Sequence, residues 1–295
     1  MSKNFIHGVD LLEKCSTYGK KIWEIMIERE IENTERTKDE ILEDMAKNLI
    51  IMKDAVKEGL HEDIKSVSGL VGGDAKTLRK RYEEKKTVAG KRMNKAVASA
   101  MAVLEVNASM GQIVAAPTAG SSGIIPGALI TIGEDFNLED DDLVKALFTA
   151  AAIGYIITRN ATVSGAEGGC QAETGAAAAM AAGAIVEILG GTPEQALHAA
   201  AMSIKNILGL VCDPIAGLVE APCVKRNAIG TANAFISADM ALAGIESIIP
   251  FDEVVEAMYK VGRSLPCELR ETALGGLAKT PTGIKIEEEI FNTRK

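Results

Sequence analysis

GAAAAMAAGAIVEILGG, from Gly175 to Gly191, is the run that decides the fold. Its Ala, Gly and Met residues are good helix formers or let helices approach closely, and Glu187 is its only charge. A helix that is apolar on every side is a buried helix. Gly190-Gly191-Thr192-Pro193 then supplies a stop and a new start, because Gly tolerates the left-handed end of a helix and Pro fits the first position of the next. Working outward, AVASAMAVLEVNASMGQIVAAP at 96–117 has the same character. No segment alternates Val, Ile and Thr between turn residues, and aromatics make up only 4% of the chain, so a sheet-based core is disfavoured. The expected class is all-α, a compact multi-helix bundle of small-residue buried helices with Gly/Pro-rich loops.

Towards the amino end the character changes. From about Leu11 to Lys86 the chain is dense in charge around a stripe such as Ile22, Ile25 and Met26, the spacing of amphipathic helices. The expectation is one domain over 1–295, in which 1–86 is a charged helical arm, more mobile than the helical core of 87–295.

With 295 residues and 47% hydrophobic content the chain can bury a large core, and a net charge of −9 argues against a nucleic-acid footprint. MSKNFIHGVDLLEK has no apolar leader, which leads to the expectation of a cytoplasmic protein. The uncharged stretch from Val106 to Gly133 is broken by Pro117 and Pro126 and is read as protein interior rather than a membrane span. The acidic run from Glu134 to Asp142 is read as complementing a helix dipole rather than binding a hard cation.

Four Gly-rich or Pro-rich segments interrupt the helices: 116–127, 162–175, 208–227 and 274–276. Buried turns of this kind often line sites. Three of the five cysteines fall in them: Cys170 after two glycines, Cys212 before Asp213-Pro214, and Cys223 after Pro222. Thiolates brought together by such bends are the usual ligands of iron–sulfur clusters. Their spacing fits neither ferredoxin runs nor a zinc ribbon, so from the pattern alone three small buried apolar residues remain the other reading. Cys15 and Cys267 are read as buried packing residues. His7, His61 and His198 have no neighbouring ligand pattern, and no nucleophile elbow is present.

APTAGSSGIIPG, SGAEGGCQAETGAAAAMAAGAIVEILGG, KNILGLVCDPIAGLVEAPCVKRNAIGTANA and RETALGGLAKTPTG occur in this order, and with them the chain resembles the α chain of iron–sulfur L-serine dehydratases over nearly its whole length. The resemblance implies a lyase that degrades L-serine to pyruvate and ammonia, a reaction that can feed gluconeogenesis. It also implies a [4Fe–4S] cluster held by Cys170, Cys212 and Cys223, with the fourth iron open as a Lewis acid. A cysteine desulfidase of similar chemistry and a non-catalytic iron–sulfur sensor are the alternatives.

The sequence resembles only the α half of the two-chain form, which implies a hetero-oligomer with a β subunit carrying a Ser-Ser-His-Thr motif. Fused relatives have Glu-His-Asn where this chain has Lys205-Asn206-Ile207, so the catalytic base stays unassigned, with the β chain as one source. Thr118, Ser121 and Ser122 are candidate substrate-binding groups, or else satisfy their own turn. Lys225, Arg226 and Asn227 follow the third cysteine and are candidates to bind cluster sulfur or substrate carboxylate, or else open a solvated helix.

Overall fold

The computed structural model describes residues 3–292. Thirteen α-helices lie among them: α1 (Gly8–Tyr18), α2 (Ile22–Thr34), α3 (Lys38–His61), α4 (Asp74–Glu84), α5 (Gly90–Ala108), α6 (Ile124–Phe136), α7 (Asp140–Asn160), α8 (Gly165–Gly168), α9 (Cys170–Ile188), α10 (Pro193–Lys205), α11 (Cys223–Leu242), α12 (Phe251–Ser264) and α13 (Pro281–Asn292). Among the described residues there is no strand, and one isolated bridge pairs Cys212 with Arg270. The all-α expectation holds.

The Ala-rich run forms α9, and 17 of its 19 residues are buried. Helices α6, α7, α10 and α11 pack around it. Small residues make this possible. A β-carbon on Gly183 would lie 3.2 Å from the Ala196 carbonyl oxygen of α10, and one on Gly127 of α6 would lie 2.7 Å from the Ala100 nitrogen of α5. Where backbones come this close, larger side chains fill the remaining space. Ile124, Leu129, Ile153, Ile156 and Ile157 are almost wholly buried, each contributing about 1.5–3 kcal/mol of transfer free energy. The stop and start after α9 are built as the sequence suggests. Gly190 has φ 91°, the Thr192 hydroxyl accepts from Gln195 N at 3.2 Å, and Pro193 opens α10.

The charged N-terminal helices pack on the core through α2 against α7 and through α3 and α4 against α5. Three of their N-termini, with unsatisfied N–H groups, are capped by carboxylates from distant core helices. Glu105 accepts from the backbone nitrogens of Gly73, Asp74 and Ala75 at 2.8–3.2 Å. Glu187 accepts from Ile22 N at 2.6 Å and Trp23 N at 3.3 Å, and from the Thr149 hydroxyl. Asp252 accepts from Gly8 N at 2.6 Å and Val9 N at 3.0 Å. The charge in the core runs is thus spent on helix ends.

In the acidic run, Asp140, Asp141 and Asp142 stand in the first turn of α7, with Asp140 paired to Lys53 and Asp142 to Lys145. Among the described residues no helix is long and apolar enough to cross a membrane. Cys170 and Cys223 are the first residues of the neighbouring helices α9 and α11, and this end of the bundle gathers the Gly/Pro-rich connections.

Candidate metal centre

The connections before α9, around Cys212 and after α12 are fastened to one another by backbone hydrogen bonds. Gly169, with φ 75°, turns the chain into α9, and Gln171 N donates to the Leu210 carbonyl at 2.9 Å. The Gln171 side chain accepts from Gly209 N and donates to the Met258 carbonyl, both at 2.9 Å, so it locks the Cys212 loop to α9 and α12. Cys212 N donates to the Leu269 carbonyl at 2.9 Å, and Glu271 N donates to the Cys212 carbonyl at 2.7 Å. These bonds hold the second cysteine against the segment after α12. That segment holds Glu271 and Ala273 at φ 63° and 55°, and the Cys212 loop holds Ala216 at φ 55°, a cluster of left-handed non-Gly residues of the kind found at functional sites.

The result is a compact donor set. Ligand atoms of Cys170, Cys212 and Glu173 all lie within 4.8 Å of one another, and both thiols are buried. Cys223 is buried at the start of α11 and lies outside that group of three, but close enough for Cys170 and Glu173 to act on it electrostatically. Burial first, and then those negative neighbours, push its thiol up to about 12. Cys170 shifts the other way: the hydrogen bond from Cys212 lowers its pKa, with help from Arg226, against the effect of burial. The same hydrogen bond keeps the Cys212 proton in place and raises that thiol, as does burial. Burial raises Glu173 to about 7, opposed by the hydrogen bond it accepts from Thr118 and reinforced by Glu271. Removing protons from three buried thiols requires positive charge, and iron or another thiophilic metal supplies it. The donor set therefore fits a thiolate-held metal group.

Arg226 is the cation already built in. It donates to Cys170 Sγ at 3.3 Å, to the Val211 carbonyl at 2.8 Å and to Asp213 Oδ1 at 2.7 Å, while Asp213 Oδ2 accepts from Leu277 N at 2.7 Å. Asn227 is fully buried and clasps backbone: it donates to the carbonyls of Gly120 and Cys223 and accepts from Gly123 N. Thr118 Oγ1 lies 2.8 Å from Glu173 Oε1 and 3.1 Å from Ser121 Oγ, and Ser122 Oγ donates to the Ala119 carbonyl at 2.8 Å. Lys225 points to the protein surface and pairs with Asp74 of α4.

Cys15 is buried in the core, where burial pushes it up to about 12. Cys267, expected to be buried, is exposed, because Pro266 starts a surface 3-10 turn there. The histidines lie elsewhere: His198 Nδ1 accepts from Ser247 N, His61 bonds its own helix and His7 caps α1. Sequence reading missed Glu173. The available signal was its position three residues after Cys170, which puts both on one face of α9. Arg270 went unnoticed too, and its Nε is buried without a hydrogen-bond partner.

Residues 17–278 match the family model described as serine dehydratase alpha chain. The chain is 54% identical over 282 residues to a probable L-serine dehydratase, alpha chain, of Bacillus subtilis, covering 96% of this chain and 94% of that one. It is 49% identical to the L-serine dehydratase, alpha chain, of Peptoniphilus asaccharolyticus, covering 96% and 97%. An L-serine dehydratase of Streptomyces coelicolor is 37% identical over 283 residues, which span 93% of this chain but 60% of that longer relative.

Proposed function

Because the chain belongs to the serine dehydratase alpha chain family, we propose that it is the α subunit of a cytoplasmic L-serine dehydratase, acting with a β subunit on a [4Fe–4S] cluster held by Cys170, Cys212 and Cys223. The observation that carries the reading is the meeting of the buried thiols Cys170 and Cys212 with the half-buried Glu173, with Cys223 opening the adjoining helix, in a chain of this family. Cluster thiolates attach to separate irons, so Cys223 need not come within single-ion distance of the other two. When bound, the cluster supplies Lewis acidity that helps the β-hydroxyl depart.

The reaction removes the α-proton and hydroxide from L-serine to give water and 2-aminoacrylate. That enamine tautomerises to an imine, and water hydrolyses the imine to pyruvate and ammonia. The chain's own residues prepare the place where this happens. Arg226 stabilises the Cys170 thiolate, and Asn227 holds the 118–123 turn against α11. Thr118 orients Glu173, and the hydroxyls of Thr118 and Ser121 stand beside it as candidate substrate contacts.

No histidine among the described residues bonds to this group, and Lys205 donates to the Ser247 carbonyl while Lys225 is held by Asp74. A base from a β subunit suits that arrangement, as does the span of 60% of the Streptomyces relative. The test is anaerobic purification with iron and acid-labile sulfide analysis, followed by pyruvate release from L-serine after β is added. Iron-loaded protein that forms no pyruvate points to a sensor, and sulfide release from L-cysteine in its place points to a desulfidase.

A further inference from the structure

Glu173 is a carboxylate set beside two thiols with no cation of its own. The only side-chain hydrogen bond made to its carboxylate among the described residues is from Thr118 Oγ1, no ion pair is made to it there, and Arg226, which bonds Cys170, is engaged by Asp213 and Val211 as well. Two glycines make room for it. A β-carbon on Gly120 would stand 3.2 Å from Glu173 Oε1, and one on Gly165 would stand 2.6 Å from Oε2 and 3.1 Å from Cys212 Sγ. Oε1 accepts from Thr118, and Oε2, which no donor meets among the described residues, lies close to Gly165 and the Cys212 sulfur.

We infer that Glu173 is the residue that receives the α-ammonium group of the amino-acid substrate. This rests on the function proposed above. A metal ion bound by Cys170, Cys212 and Glu173 together would leave Cys223, buried at the start of α11, without a role. Assigning the three cysteines to one cluster leaves Glu173 as the anion that still lacks a cation, and L-serine is the reactant that brings one. An ammonium is small and donates up to three hydrogen bonds, which the Glu173 oxygen left without a donor can accept. Glu173 would thereby select amino acids over the corresponding hydroxy acids and fix the α-carbon for deprotonation.

The test uses the full chain, anaerobically loaded and joined to its β partner, with L-alanine and propanoate as probes. The two differ in the ammonium group, and neither can lose hydroxide, so their dissociation constants are measurable by calorimetry. The wild-type complex is expected to bind L-alanine about 30-fold more tightly than propanoate, the size of one charge-assisted hydrogen bond. Glu173→Gln is expected to abolish that preference while iron and sulfide per chain stay at the wild-type level, with KM for L-serine rising more than kcat falls. An unchanged preference overturns the inference, and so does loss of iron, which would make Glu173 a ligand. If Glu173→Gln fails to fold, Glu173→Asp decides: a reduced preference supports the assignment and an unchanged one overturns it. Wild-type protein without iron or pyruvate formation would instead defeat the functional reading itself.

Discussion

The Arg226 guanidinium donates to Cys170 Sγ at 3.3 Å while its other nitrogen holds Asp213 Oδ1 at 2.7 Å. One side chain therefore ties the start of α11 to the start of α9 and, through Asp213 and Leu277, to the segment that precedes α13. Replacing Arg226 with Gln removes a positive charge and a donor from Cys170, a proposed cluster ligand. The cluster of Arg226→Gln is expected to have a lower reduction potential than wild type, since hydrogen bonds to sulfur are among the terms that set it. An anaerobic redox titration checks this. Asp213, 3% exposed, would be left without its cation, so a stability loss of about 3–5 kcal/mol is expected in urea unfolding.

The cysteine set gives a second prediction. Cys170→Ser, Cys212→Ser and Cys223→Ser should each abolish stable cluster binding, since a hydroxyl is a poor substitute for thiolate on iron. Cys15→Ser buries a hydroxyl in the core and should cost about 1–3 kcal/mol of stability, yet keep its iron. Cys267→Ser, on the surface, should change neither. Full iron in any of the first three variants removes that cysteine from the set.

Turnover should depend on the partner. The α chain alone is expected to take up cluster yet release pyruvate from L-serine slowly, with efficient turnover restored by a β chain. His198→Gln is expected to leave the turnover of the complex unchanged, because His198 accepts from Ser247 N and makes no hydrogen bond to a cysteine among the described residues. Equal rates with and without β would place the base on this chain.

The buried capping carboxylates give a pH prediction. Burial raises Glu187 above the ordinary 4.5, and the Thr149 hydroxyl and the N–H groups of Ile22 and Trp23 offset only part of the shift. A folded-state pKa above the unfolded value means that the native state binds the proton more tightly. The contribution to stability is then complete below about 4.5 and is lost as pH rises through the folded-state value. Glu187→Gln lacks this titration. Its stability relative to wild type should therefore improve as pH rises from about 4.5, over and above a constant offset from altered hydrogen bonding. Urea midpoints across that range measure the slope, and an opposite slope would falsify the assignment.

We propose, finally, that 1–86 and 87–295 unfold as one domain, with the arm opening locally more often than the core. Glu105→Ala removes the cap of α4 and leaves three backbone N–H groups without an acceptor. Faster proteolysis within α4, with a single unfolding transition retained, is the expected result. Two separate transitions in the wild-type protein would overturn the proposal.

Much of this protein was legible without coordinates. The Ala-rich runs specify buried helices because a chain of small side chains can be covered on every side, and Gly190 to Pro193 specifies a helix end because Gly and Pro restrict local backbone geometry. Both are short-range properties, carried by neighbouring residues. The same locality put three cysteines at breaks between helices, although only Cys212 lies inside a connection while Cys170 and Cys223 open the helices that follow. It did not reveal that Glu173 stands within 4.8 Å of Cys170 and Cys212, that Asn227 spends its amide on backbone, or that Lys225 turns to Asp74 while Arg226 turns to Cys170. Those outcomes depend on how α9 and α11 lie side by side and on four loops that are distant in sequence. Which side chains meet there is fixed by the packing of backbones at glycine and alanine contacts, so only the tertiary structure decides it.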